Sequence, residues 1–169
     1  STKYSDRILQ DLDNLIKSFN LSNGDEIFLV GHSMGGLIAR LYLEKYEPQK
    51  IRGLITMGTP HQGSQLGKFL YNTPFSIFLG TSGKSGIKDN IPEWSGNYNM
   101  YCIAGIFNHK LFLNLFNLNN NNDDSDGTVF VKEAILENST KNIIVPNTSH
   151  MQLLFSNDVF YEIKTIIFS

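Results

Sequence analysis

Ser33 lies in the run Gly31-His32-Ser33-Met34-Gly35-Gly36, where small residues flank a hydroxyl on both sides. The run follows the apolar stretch Ile27-Phe28-Leu29-Val30 and precedes Leu37, Ile38, Leu41 and Tyr42, which recur at helical spacing. Strand, tight turn and helix form the setting of a G-x-S-x-G nucleophile turn. Gly31 and Gly35 put no Cβ into that crowded turn, so the hydroxyl stands clear of the backbone. A helix starting just after Ser33 aims its free N–H groups at the place where an oxyanion would form.

A serine hydroxyl is a weak nucleophile until a base takes its proton, and the base needs a carboxylate to orient it. The chain has four histidines. His32 and His61 precede any suitable acid, and His109 falls in an apolar loop segment. His150 alone follows both Ser33 and the cluster Asp123, Asp124, Asp126. It comes just after a predicted strand, where sheet-borne catalytic groups sit. Asp126 is the favoured acid, with Asp123 and Asp124 read as a solvated turn. A calcium loop is a weaker reading of the cluster, because Ala134 stands where an EF-hand needs its last glutamate. Gly83-Lys84-Ser85 ends like a phosphate-binding loop, but Phe78 stands where the first glycine belongs. No metal site is expected.

The elements that must position these groups alternate between helix and strand. Ser5 to Phe19 reads as an amphipathic helix with Ile8, Leu12, Leu15, Ile16 and Phe19 on one stripe. Strands are expected at Glu26–Val30, Ile51–Met57, Asn99–Ala104 and Asn142–Val145. The first is apolar throughout, as in a parallel sheet covered on both faces. Ser156-Asn157-Asp158 is expected to cap a last helix with Val159, Phe160, Ile163, Ile166 and Ile167 on one face. The expected fold is therefore α/β, a mostly parallel sheet flanked by helices, in one domain over residues 1–169.

Composition bounds the partners. A net charge of −2 gives no reason to invoke nucleic acid. No apolar run approaches the ~20 residues of a membrane span, although transient contact with a membrane surface stays open. The single cysteine, Cys102, sits in an apolar run and reads as a buried strand residue. A glycan on the Asn147 sequon would crowd His150, which tilts the compartment toward the cytoplasm.

Taken together, Gly31-His32-Ser33-Met34-Gly35-Gly36, Gly58-Thr59-Pro60-His61-Gln62-Gly63-Ser64, Asp126-Gly127-Thr128-Val129 and a late His150 carry a resemblance. The chain resembles the lipases and esterases of the α/β-hydrolase superfamily, nearest to triacylglycerol-lipase-like and glycosylphosphatidylinositol-inositol-deacylase-like members. The order Ser33, Asp126, His150 is that superfamily's order. The resemblance implies Ser33 as nucleophile, Asp126 as acid, His150 as base and the Met34 backbone N–H as one oxyanion donor. It implies a structural role for His61 and no cofactor. The implied reaction is hydrolysis of a carboxylic, lipid-like ester through an acyl-enzyme. An acyltransferase or thioesterase using the same triad, and a non-catalytic interaction module, are the alternatives.

Two further expectations follow. Phe69, Phe75, Phe78 and Leu79 lie in a dense apolar stretch that forms either a wall or lid for the acyl chain or an ordinary core helix. The start of the chain departs from the family, whose members carry two or more strands before the nucleophile strand. A loop after the first of those strands supplies the second oxyanion donor. Here one helix precedes Glu26. The N-terminal part of the sheet is thus expected to be missing, and an upstream segment or partner chain to complete it and supply that donor.

Overall fold

The computed structural model describes residues 3–63, 93–107 and 124–169. Phe69, Phe75, Phe78 and Leu79, together with Ser64, Ser85, His109 and Asp123, lie outside them. Helix α1 (Lys3–Ser18) leads to β1 (Ile27–His32), α2 (Met34–Tyr46) and β2 (Ile51–Met57). Strand β3 (Asn99–Ile106), the short α3 (Val131–Ala134), β4 (Lys141–Pro146) and α4 (Asn157–Phe168) follow. The four strands pair in chain order, β1-β2-β3-β4, and every pairing is parallel. The parallel α/β sheet read from the sequence is the fold observed.

Side-chain alternation along the strands splits the core into two layers. Leu54 of β2 and Met100 and Cys102 of β3 face Leu9, Ile16, Ala39, Tyr42 and Leu43 of α1 and α2. Ile55, Met57, Ile103, Ile143 and Val145 face Val159 and Ile166 of α4 on the other side. Cys102 is fully buried. Ser156 caps α4 through a bond from the Val159 N–H.

Three expectations on burial need correction. In α1 the inward face is Leu9, Leu12, Asp13 and Ile16, while Leu15 and Phe19 are exposed. Asp13 occupies a core-facing position because the Tyr42 hydroxyl and Lys17 Nζ donate to its carboxylate, at 3.3 and 2.6 Å. In α4, Phe160 points outward while Ile163 and Ile167 pack against the sheet. Strand β1 is not buried on both faces. Ile27 and Leu29 pack toward α1 and α2, but Val30, on the opposite face, is 46% exposed. The α4 layer covers β2 to β4, and among the described residues no strand lies outside β1.

Candidate active site

Parallel strands deliver their following loops to one end of the sheet, and Ser33, Asp126 and His150 are carried on such loops. Ser33 follows β1, Gly58 follows β2, Asp126 follows β3 and His150 follows β4.

Ser33 is the pivot between β1 and α2. Its backbone has φ 54° and ψ −125°, a conformation that costs a non-glycine residue roughly 1–3 kcal/mol. Its surroundings hold it there. The Ser33 N–H donates to Met57 O at 2.8 Å, and Ser33 O accepts from the Gly36 N–H at 3.1 Å and the Thr59 hydroxyl at 2.9 Å. The turn is tight enough to demand glycine. A Cβ on Gly31 would lie 2.6 Å from the Gly36 backbone, and one on Gly36 would collide with the Thr59 side chain. Gly35 faces open space, so the steric argument made for it from the sequence belongs to Gly36 instead.

Asp126 and His150 are joined twice. The His150 N–H donates to Asp126 O at 2.8 Å, and His150 Nδ1 lies 2.7 Å from Asp126 Oδ2. Oδ1 of the same carboxylate accepts from the N–H groups of Thr128 and Val129, at 2.9 and 2.8 Å. A carboxylate oxygen accepts, so His150 donates from Nδ1, and in the neutral ring Nε2 then carries the lone pair. Glycines make room for the pair. At Gly58, with φ +54°, a Cβ would lie 2.8 Å from Asp126 Oδ2 and 2.9 Å from His150 Nδ1. A Cβ on Gly105 would collide with Thr148 O. Met57, which anchors Ser33, and Gly58, which floors the Asp126–His150 pair, are consecutive residues, so one backbone turn ties both halves together.

His61 is built into the scaffold. It is 2% exposed, and its Nε2 contacts the Thr56 hydroxyl at 3.1 Å and Cys102 Sγ at 3.6 Å. Its N–H donates to Glu133 O, and its carbonyl accepts from Arg40. Burial, followed by the charge of Arg40, pushes its pKa down to about 3. The unfolded chain therefore binds a proton near pH 6.5 that the folded chain refuses until about pH 3. Stability contributed by neutral His61 is whole above pH 6.5 and is lost progressively as the pH falls toward 3. Unfolding free energies from urea titrations between pH 7 and 4.5 should drop with a slope of up to about 1.4 kcal/mol per pH unit from this residue. His61→Gln should flatten that slope, and an unchanged slope would mean another group sets the acid limit.

Sequence reasoning named Ser33, Asp126 and His150, which the structure carries on the turns after β1, β3 and β4, with Asp126 and His150 in hydrogen-bond contact. It missed Thr59, Gly58 and Gly105 as the parts that shape the site. The only signal for the first two was their place in the Gly58–Ser64 run; Gly105 gave none. It also left His32 without a task, although His32 Nε2 lies 2.9 Å from the His150 carbonyl oxygen.

The model of the alpha/beta hydrolase fold matches residues 2–85, the part that contains the Ser33 turn and Gly58. The chain belongs to the α/β-hydrolase fold family. Over 45 residues, 27% of this chain, it is 42% identical to a triacylglycerol lipase of Pseudarthrobacter phenanthrenivorans. Over 47 residues it is 40% identical to a GPI inositol-deacylase of Coccidioides immitis (strain RS). These matches span 14% and 4% of the two relatives, so they describe a segment. In three dimensions the chain is similar to the mature form of the Bacillus licheniformis lipase BlEst2, with a TM-score of 0.64 and 21% identity. That superposition covers 94% of this chain and 71% of the lipase. A metagenomic carboxyl esterase, MGS0156, gives 0.59 at 16% identity, over 86% of this chain and 51% of the esterase. Likeness at these identities establishes the fold that this α/β-hydrolase shares with them.

Proposed function

We propose that this α/β-hydrolase is a serine hydrolase of carboxylic acyl esters, with lipid-like substrates. The observation that carries the reading is the strained, glycine-packed Ser33 turn beside a buried carboxylate–imidazole pair at the same end of the sheet. The relatives bearing lipase and esterase names support the reaction class.

In the proposed reaction, Ser33 Oγ attacks the ester carbonyl while His150 Nε2 takes its proton. Asp126 keeps the other ring proton on Nδ1 and stabilises the imidazolium that forms. The Met34 N–H, in the first turn of α2, faces the developing oxyanion. The alcohol leaves with the proton from His150, and water then hydrolyses the acyl-enzyme by the same relay. Every proton is carried by a side chain already in the site, so the scheme needs no cofactor.

The same proposal includes a strand along the open side of β1, supplied by a preceding segment or by a partner chain. Among the described residues β1 pairs with a strand on one side only, and a bare apolar edge invites pairing. That added segment is assigned the second oxyanion donor, a contribution of about 2.7–4 kcal/mol to the transition state.

p-Nitrophenyl esters from acetate to palmitate test the reading. A burst of nitrophenol equal to the enzyme present, followed by slower turnover, is the expected result, with longer chains preferred. Fusing a strand–loop–helix segment ahead of Ser1 should raise the burst rate. Absence of any nitrophenol release with the fused segment in place, or release that persists unchanged in Ser33→Ala, would contradict ester hydrolysis through an acyl-enzyme on Ser33.

A further inference from the structure

Ser33 and His150 are carried on turns that follow the two outermost strands of the described sheet, β1 and β4. Neighbouring strands lie about 4.8 Å apart, so the roots of these turns are separated by roughly 14 Å. For a base and a nucleophile to meet, both turns must lean inward over β2 and β3 and stay there. The bonds from Asp126 hold His150 from the β3 side. They do not connect it to the strand that carries Ser33.

His32 makes that connection. It is the last residue of β1 and the neighbour of Ser33. Its Nε2 reaches the His150 carbonyl oxygen at 2.9 Å, and the two imidazole rings lie 4.6 Å apart at 44°. A carbonyl only accepts, so His32 donates from Nε2, and that fixes its neutral tautomer. His150 is thereby held at three points: its N–H by Asp126 O, its Nδ1 by Asp126 Oδ2 and its C=O by His32.

We infer that His32 is a positioning residue, whose side chain clamps the base-bearing turn to the nucleophile's own strand and so sets the distance between Ser33 and His150. The inference rests on the function proposed above and assigns a task to a residue that the Ser–His–Asp relay leaves idle. The task suits a neutral ring. The ionisable groups acting on His32 are His150 and, more weakly, Asp126, and burial holds its pKa below the ordinary histidine value. A neutral His32 leaves the imidazolium of His150 without a second positive charge beside it.

Two amides of different reach separate positioning from packing. The side-chain nitrogen of Gln sits at the depth of histidine Nε2 and never takes up a proton, while that of Asn falls one bond short. The probe is a fluorophosphonate reacting with the full chain, with its maximal labelling rate and its half-saturating concentration measured separately. His32→Asn should lower the maximal rate by up to about 10²-fold, the scale of a 1 Å misplacement, with half-saturation unchanged. His32→Gln should retain most of the rate. His32→Phe keeps a ring and loses the donor, so it should behave as Asn does, and it decides the matter against Gln if the Asn variant does not fold. Equal rates in the Gln, Asn and Phe variants would overturn the inference, as would Gln falling as far as Asn. Failure of the probe to label Ser33 in the unaltered chain is a different result, because it would overturn the proposed function itself.

Discussion

Ser33→Ala is expected to lower ester turnover by about 10⁴-fold or more while leaving the melting temperature close to that of the parent chain. The magnitude follows from the way the site is built. Ser33 makes its structural bonds through its backbone: N–H to Met57 O, and C=O from Gly36 and Thr59. Removing the hydroxyl leaves all three bonds in place and takes away only the attacking atom. Residual activity then comes from substrate binding and oxyanion stabilisation alone. The variant Ser33→Ala/His150→Ala should be little worse than either single change, since a base with no hydroxyl to deprotonate has nothing to do. Losses that multiply in the double variant would mean that His150 acts apart from Ser33. Kinetics of the three variants on one ester decide between these outcomes.

Asp126→Asn should cost about 10⁴-fold in turnover, and Asp124→Asn almost nothing. The Asp126 carboxylate accepts from Thr128, Val129 and His150 and is almost wholly buried. An amide in its place offers one oxygen and one NH₂ group where two acceptors are required. With the oxygen kept toward the Thr128 and Val129 N–H groups, the NH₂ faces His150 Nδ1 and forces that nitrogen to accept. The ring proton then moves to Nε2, and the nitrogen that should take the serine proton is blocked. Asp124 is exposed, and its backbone carbonyl, which the amide substitution leaves in place, accepts from the Val131 N–H. A reversal of the two effects in the kinetics would move the acid role to Asp124.

The regular parts of this chain were legible because they obey simple periods. The four strands of the described residues, and helices α1 and α2, appear where apolar spacing puts them, within a residue or two. The departures have physical causes. Asp13 looks polar, so a hydrophobic stripe passes it by, yet Tyr42 and Lys17 satisfy its carboxylate and let it face inward. Phe160 looks apolar but lies on the outward side of α4, where the sheet no longer needs covering. Spacing along β1 reported apolarity at every position, which is necessary for a central strand and insufficient to supply its neighbours.

The candidate site divided in the same way. Ser33, Asp126 and His150 announce themselves by residue type and order. The parts that hold them do not. Gly58 and Gly105 matter for the volume they leave empty, and Thr59 for one hydroxyl donated to Ser33 O. His32 was hidden because a histidine beside a serine suggests a base, whereas here its ring turns to the backbone of another histidine. Such roles depend on contacts between residues more than a hundred positions apart in one case and about twenty-five in another.

The central claim is that Ser33 is the nucleophile of this α/β-hydrolase. Reaction of the full chain with a fluorophosphonate, followed by peptide mass spectrometry, tests it most directly. The account predicts a single adduct on Ser33, absent from the Ser33→Ala variant and strongly reduced in His150→Ala. An adduct on Ser64 or Ser85 that persists in Ser33→Ala would contradict it.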